Sequence, residues 1–470
     1  MDMVKINSRV FVLYGIFVLC ILVQGVVSYY SGMSNVMYIA YIAVYVIVFF
    51  DLMSILFTRR SDLKGFGRSF IVYLCLLAVS LVISLNYNAI SALNGLRVYA
   101  FLPVVSMYIY RVLGGNEERM ADAVLRLFLY LPVIELVFCA HQHFVVAPMR
   151  GGFASWDAVV GTFGGDPNGG GASGALLFYL LISFSAAFWL FATKKVSWGK
   201  FIICILSSFG CVALAEVKAI FIFLPILFIF LAAQSPAKSY LRVVLLLVFG
   251  MVMLVGVGVS YQEMYYSDKF SGTIESTIDD SVRYVTDIDK VNYETGEVGR
   301  AASINIWAGD PDVTWERRIL GFGVGSSRVT NTGRGFIYEK YYPLRVAASS
   351  INQLLWDIGV VGTIVWFVMF ILVLSKGYSR EEHRGDERGD LFNISRVVVF
   401  LSILYAVYDR SVIEEISVQL IIAFSFAFIM RTHYGNRSYR AVGVSSGSLD
   451  LADRNSLCAV STNRSRGGIF

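Results

Sequence analysis

The sequence lacks the marks of an enzyme that handles nucleotides. It has no Walker A run, no dinucleotide-binding glycine fingerprint and no D-x-D motif of a nucleotide-sugar enzyme in its basic connections. The chain thus shows no sign of using a nucleotide directly. It is equally poor in metal or disulfide spacing. Of six cysteines, Cys20, Cys75, Cys139, Cys204 and Cys211 fall inside apolar runs and Cys458 near the C-terminus, so they read as apolar filler. No internal repeat of the inverted transporter kind is visible, which weighs only slightly against a transporter. No small-residue cleavage site follows the first apolar run, which is therefore read as a retained helix and not as a signal peptide.

What the chain has in abundance is apolar sequence: 57% hydrophobic residues and a mean hydropathy of +0.65. A water-soluble surface cannot be made from that composition. The apolar residues come in blocks of about 18 to 25, the length a helix needs to cross about 30 Å of hydrocarbon, and do not alternate as in a barrel. The expected spans are 10–28, 36–56, 69–86, 97–112, 124–146, 172–192, 200–215, 217–233, 242–261, 350–375, 396–408 and 412–430. The fold class expected is therefore an all-α polytopic membrane protein of about twelve helices. Helices one to nine occupy 1–261, a large loop subdomain 262–349, helices ten to twelve 350–431, and a Ser/Gly/Arg-rich tail, read as disordered, 432–470.

The formal charge of +5 is explained by where the basic residues stand. With both termini in the cytoplasm, "TRRSDLKGFGR", "RVLGGNEERMADAVLR", "TKKVSWGK", "QSPAKSYLR" and "KGYSREEHRGDERGDLFNISR" all fall on that side. The short connections opposite carry one cation each: Arg97, read as lying in the loop before its helix, Arg150, Lys218 and Arg410. These outer cations run against the bias and ask for a reason.

In "RGGFASWDAVVGTFGGDPNGGG" the fork of Arg150 suits phosphate, and glycines such as Gly161 let backbone N–H groups approach an anion. The same stretch also reads as a flexible connector with an interfacial arginine. "ALAEVKAIFIFLP" puts Glu216 and Lys218 in a tight hairpin, and "VYDRSVIEE" puts Asp409 and Arg410 between the last two spans. Each is either a site, since ionisable groups at membrane depth are costly, or a self-contained pair capping helix ends. Arg300 opens an amphipathic helix in the large loop, and Arg345 leads into the tenth span. Singly, such arginines read as solvated surface; together, five arginines and a lysine mark the outer face as the place for an anionic substrate. His141 and His143 in "CAHQHF" have no acids or cysteines beside them and read as interface anchors, not as metal ligands.

Four stretches, in order along the chain, resemble the Wzy-type O-antigen and exopolysaccharide polymerases and the related O-antigen ligases. They are "RGGFASWDAVVGTFGGDPNGGGASG", similar to an outer R-x10-G segment followed by F-x-x-P-N, with Asn168 in the Pro-Asn pair; "AEVKAIFIFLP"; "GRAASINIWAG…ILGFGVGSS"; and "SSINQLLWDIGVVG". Ligases of the family typically begin the last element with His-Asn, where this chain has Ala348 and Ser349, which favours a polymerase. The resemblance implies a GT-C-like membrane glycosyltransferase of the bacterial cytoplasmic membrane. It would join oligosaccharide repeat units carried on undecaprenyl diphosphate at the outer face, for O-antigen, capsule or exopolysaccharide, with no metal and no cofactor. An O-antigen ligase, a flippase or exporter of lipid-linked oligosaccharide, and a structural export partner are the rival readings. Arg150, Glu216 and Asp409 are then the expected catalytic residues. Arg300, Arg345, Lys218, Arg410, Gly161 and Asn168 are the expected substrate contacts. The partners implied are the lipid-diphosphate-linked oligosaccharide, the membrane, a chain-length regulator and a flippase, and no nucleic acid.

Overall fold

The computed structural model describes residues 8–33, 35–58, 68–149, 158–165, 172–234, 282–330, 333–376 and 387–434, with isolated positions between 248 and 259. The chain is an all-α membrane protein. Among the described residues, eight helices are long and apolar enough to cross a membrane: α1 (Ser8–Ser31), α2 (Val36–Thr58, apolar over Val36–Met53), α4 (Ala89–Val112), α5 (Glu117–Met149), α6 (Ser173–Ala192), α12 (Ser350–Leu374), α13 (Glu387–Tyr408) and α15 (Ile416–Tyr434). Three shorter apolar helices join them: α3 (Arg68–Leu85), α7 (Trp198–Leu214) and α8 (Ile220–Gln234). The span expected over 242–261 and the tail 435–470 fall largely or wholly outside the described residues.

Burial sorts these helices. A helix apolar all round belongs in the middle of a bundle, and α6 is 94% buried and α15 89%. They meet directly, the Tyr179 hydroxyl donating to the Ser417 carbonyl at 2.7 Å. Helices further out turn Phe11, Ile39, Phe50, Val137 and Ile229 outward, as a surface wetted by lipid chains requires.

Three helix starts precede the sequence expectation by seven residues or more; α5 begins at Glu117 instead of residue 124, and the other two bear on packing. Arg97 is not in a loop: α4 begins at Ala89, where the Asn88 side chain accepts from the amides of Ile90 and Ser91 at 2.9 and 3.2 Å. Arg97 thus sits inside the membrane helix. Helix α13 begins at Glu387 instead of residue 396, because its early charges are consumed in packing. Asp390 pairs with Lys195 and accepts from the Trp189 indole at 2.9 Å, and Arg388 reaches Glu118 at 3.2 Å. Arg431 with Glu117 at 3.1 Å, and Asp51 with Arg111 and Arg9, extend this network of matched charges across one end of the bundle.

The other end carries the residues 282–349. Two short antiparallel hairpins, β1 (Val291–Asn292) with β2 (Glu297–Val298) and β3 (Val329–Thr330) with β4 (Gly333–Arg334), frame helices α9 (Arg300–Gly309), α10 (Trp315–Leu320) and α11 (Phe336–Tyr341). Val313, Phe322, Ile337, Val346 and Trp356 form a second small core, with Trp307 against it and Trp315 exposed. Lys340 clamps this unit. Its ammonium lies 2.6 Å from both Asp310 oxygens and 2.7 Å from Asp312. Burial alone would raise the Asp310 carboxyl, but hydrogen bonds from Lys340, Tyr341 and the Asp312 amide hold it below the usual range.

A carboxyl held low stabilises the fold fully above the free value of about 3.9, and that contribution is lost as pH falls through the folded value. Lys340→Met removes the offset to burial, so the acid unfolding of residues 300–345, followed by hydrogen exchange, is expected to move to higher pH. An unchanged acid midpoint would mean that the clamp contributes nothing.

Candidate anion site at the loop end of the bundle

The chain "GFGVGSSR", Gly321 to Arg328, does not stay on the surface. It sinks between α3, α4 and α12, where no Cβ could follow. A methyl on Gly323 would stand 2.5 Å from the Ser84 amide nitrogen, and one on Gly325 2.1 Å from the Ser91 carbonyl oxygen. On the helix side Gly95 is needed for the same reason, its Cβ falling 2.3 Å from the Gly325 nitrogen. Backbone taken this far from water must find partners. Helix α12 provides them by breaking at Gly359, whose φ is +68°, near the Trp356 and Asp357 carbonyls that accept from Phe322 and Gly323 at 2.8 and 2.9 Å. The Asp357 carboxylate accepts four more: the amides of Gly325 (3.0 Å) and Ser327 (2.9 Å) and the hydroxyls of Ser326 (2.8 Å) and Tyr99 (3.0 Å). Ser84 closes the seat with a bond to the Val324 carbonyl at 2.8 Å.

The loop so held delivers Arg328, which is 8% exposed. Its Nε and Nη1 are shut off from solvent and make no hydrogen bond to the described residues; Glu414 lies 3.7 Å from Nε, an ion-pair distance too long for a hydrogen bond. Arg97 approaches from α4 with its guanidinium carbon 4.1 Å from the Tyr38 ring centre and 4.5 Å from that of Tyr41. None of its three guanidinium nitrogens has a hydrogen-bond partner among the described residues. The two arginines feel each other's charge. A buried guanidinium with unused donors is costly, and two side by side cost more.

Glu414, the last residue of the short helix α14 (Ser411–Glu414), is the shared counter-charge. Arg410 reaches its Oε2 at 3.4 Å and the Gln353 amide donates to Oε1. Burial would raise this carboxyl, but Arg410, Arg328, Gln353 and Arg97 outweigh it and hold it low. Its neighbour Glu415 behaves oppositely: burial, with the Glu414 charge beside it, pushes the carboxyl up to about 7. Glu414 faces three arginines, and the unused donors of Arg97 and Arg328 suit an anion that can take the free forks.

The residues expected from sequence scatter around this cluster. Arg410 belongs to it. Asp409 starts α14, its Oδ1 accepting from the Ser411 amide at 2.7 Å and from the Ser411 hydroxyl, while its carbonyl takes both Ser350 donors. Arg300 donates to the Tyr408 carbonyl at 2.7 Å and to the Tyr284 hydroxyl, and stacks on the Tyr284 ring. Arg345 is exposed, with its amide bonded to the Gly296 carbonyl. Glu216, at a φ of +55°, and Lys218 turn the chain between α7 and α8, and neither is among the strongest charges acting on Glu414 or Glu415.

Arg150 and Asn168 lie outside the described residues. Gly161 lies in a buried loop, 158–165, fastened by Gln142, whose Oε1 accepts from Val160 and Gly161 at 2.8 and 2.9 Å. Glu135 holds the next residue, Thr162, by amide (2.7 Å) and hydroxyl. A Cβ on Gly161 would fall 1.9 Å from Glu135 Oε2, so the glycine lets the loop pass its anchor. His141 bonds the Tyr30 hydroxyl and His143 the Leu214 carbonyl.

Sequence reasoning missed Arg328, Glu414, Glu415, Gln353 and Asp357, and misplaced Arg97. The signals were present as "GSSR" directly after the glycine turn, and as two adjacent acids in "VIEE". No protein-family model matches the chain, and no curated protein matches it significantly.

Asp357→Asn leaves one acceptor oxygen where two served, and turns an amide N–H₂ toward backbone donors. Each buried group left unpaired costs about 1–3 kcal/mol. Hydrogen exchange at the Gly325 and Ser327 amides is therefore expected to rise by one to two orders of magnitude while α6 stays protected. Unchanged exchange at those two amides would show that the loop is held by something else.

Proposed function

We propose that this protein is a polysaccharide polymerase of a bacterial cytoplasmic membrane, joining lipid-diphosphate-linked oligosaccharide repeat units. In this reading the chain crosses twelve times with both termini cytoplasmic, and the cluster faces outward. The observation that carries the proposal is the depth of the unpartnered guanidinium of Arg97. Eight residues into α4, at 1.5 Å each, it lies about 12 Å below the helix start. An anion bound there is presented from within the bilayer boundary, as the diphosphate of a lipid carrier is.

The chemistry then asks little beyond electrostatics and positioning. The diphosphate is a charged leaving group already. Arg97 and Arg328 take its oxygens in their free forks and Arg410 adds charge, while Arg150 and Asn168 keep the substrate role that the sequence suggests for them. Arg300 and Arg345, on the subdomain side, suit the glycan.

Two observations bear on the rivals. None of the described histidines, His141, His143 and His433, stands in the cluster, and the positions before α12 are Ala348 and the buried helix cap Ser349. That favours a polymerase over a ligase. Among the described residues at the opposite end, Arg111, Lys195, Arg388 and Arg431 are each matched to an acid, which weighs against a flippase path lined by free charges.

The test is gel profiling of lipid-linked and surface glycan in cells carrying Arg97→Ala, Arg328→Ala or Arg150→Ala at matched membrane abundance. Loss of a charge-assisted bond of about 1.5–3 kcal/mol predicts a fall of about 10- to 100-fold in chain extension. Single repeats should persist on their carrier while long chains vanish. Lysine at either of the first two positions should also be impaired, because an ammonium cannot reproduce the fork. Normal chain length in both Arg97→Ala and Arg328→Ala would sink the reading.

A further inference from the structure

The polymerase reading leaves one role empty: something must take the proton of the attacking hydroxyl. The acids at the loop end can be sorted by what already occupies them. Asp357 is committed to the loop amides, Asp409 to Ser411, Glu135 to Thr162 and Asp310 to Lys340. Glu216 is exposed in its hairpin. Glu414 is committed to Gln353, Arg410 and Arg328.

Glu415 is different. Its carboxylate receives no hydrogen bond from the described residues, yet its backbone is pinned on both sides. Its amide donates to the Ser411 carbonyl at 3.0 Å, and its carbonyl accepts from Gln419 at 2.9 Å. Here the chain leaves α14 with an extended conformation, φ −92° and ψ 118°, before α15 begins. The charged and titratable groups acting on it are Arg328 from the loop, Tyr41 from α2, and Glu414, Arg410 and Asp409 from its own connection. A held backbone with an unclaimed, half-buried carboxylate beside the anion site is the arrangement a general base needs.

We propose that Glu415 is the catalytic base of the polymerisation, an inference that rests on the reading above. Its carboxylate accepts the proton of the acceptor sugar's hydroxyl as that oxygen bonds to the anomeric carbon of the donor. The bond from that carbon to the diphosphate oxygen breaks, and its electron pair leaves on the diphosphate. The charge so released falls against Arg97 and Arg328. Glu414 and Glu415 thereby divide the work: one stays ionised to position the arginines, and the other cycles its proton. Adjacent carboxyls whose surroundings drive them apart are how a site separates such roles.

The experiment uses the full chain in lipid nanodiscs with a lipid-diphosphate-linked repeat unit as donor and acceptor, and follows kcat and KM from pH 5.5 to 8.5. Because the base works deprotonated, kcat should climb about tenfold per unit at low pH and level off above about 7. Glu415→Gln, close to isosteric, should lower kcat by about 10²- to 10⁴-fold with little change in KM, and the residual rate should lose the low-pH limb. A wild-type rate flat over that range overturns the proposal without any variant. So does a Glu415→Gln protein that keeps kcat and the limb, and in both cases polymerase activity still stands. If the wild type makes no polymer from this lipid substrate, the polymerase reading itself fails and the base assignment goes with it.

Discussion

The structure at the loop end hangs on one carboxylate. Asp357 is buried within a membrane helix, has no ion-pair partner among the described residues, and spends its oxygens on two amides and two hydroxyls. Without that acceptor, the loop from Gly321 to Arg328 would carry unpaired amides into an apolar wall, and its place would be on the surface. With it, the loop lies against the backbones of α3 and α4, and its last residue is delivered beside Arg97. The pairing of two arginines, the counter-charge on Glu414 and the freedom of Glu415 all follow from where this loop is seated.

The same device occurs twice. The loop 158–165 is held by Glu135 on α5, as Gly321–Arg328 is held by Asp357 on α12. Each loop also meets a helix glycine at backbone contact: a Cβ on Gly25 would stand 2.0 Å from the Thr162 carbonyl oxygen, and one on Gly95 2.3 Å from the Gly325 nitrogen. In both cases an acid on one helix receives the loop's donors and a glycine on another gives it room. Irregular backbone at membrane depth is tolerated only where protein satisfies it, and here two acids do so.

Much of the bundle could be read from hydropathy, because the length of an apolar run is a local property of the chain. The failures have a common cause. Arg97 lowered the local hydropathy and pushed the apparent start of α4 past it, although Asn88 and the Tyr38–Tyr41 pair make an arginine acceptable inside the helix. Arg388 and Asp390 looked like part of a connection because their partners, Glu118, Trp189 and Lys195, lie about 200 or more residues away. The glycine turn "GFGVG" was visible as a turn, but nothing near it indicates that its anchor is an acid some thirty residues on. Likewise "VIEE" shows two acids; that one is claimed and its neighbour left free depends on Arg328, Gln353 and Arg410 arriving from elsewhere.

Two adjacent residues just before the break in α12 face different bodies. Trp356 completes the small core of the 282–349 unit, packed with Phe322 and Tyr341, while Asp357, the next residue, grips the loop inside the bundle. The peptide between them works as a rivet between a lever and its frame. A bulky chain pressing on the subdomain would load Trp356 first, Asp357 next and Arg328 directly after. Any displacement of the subdomain would thereby reach the arginine cluster through a path only a few residues long.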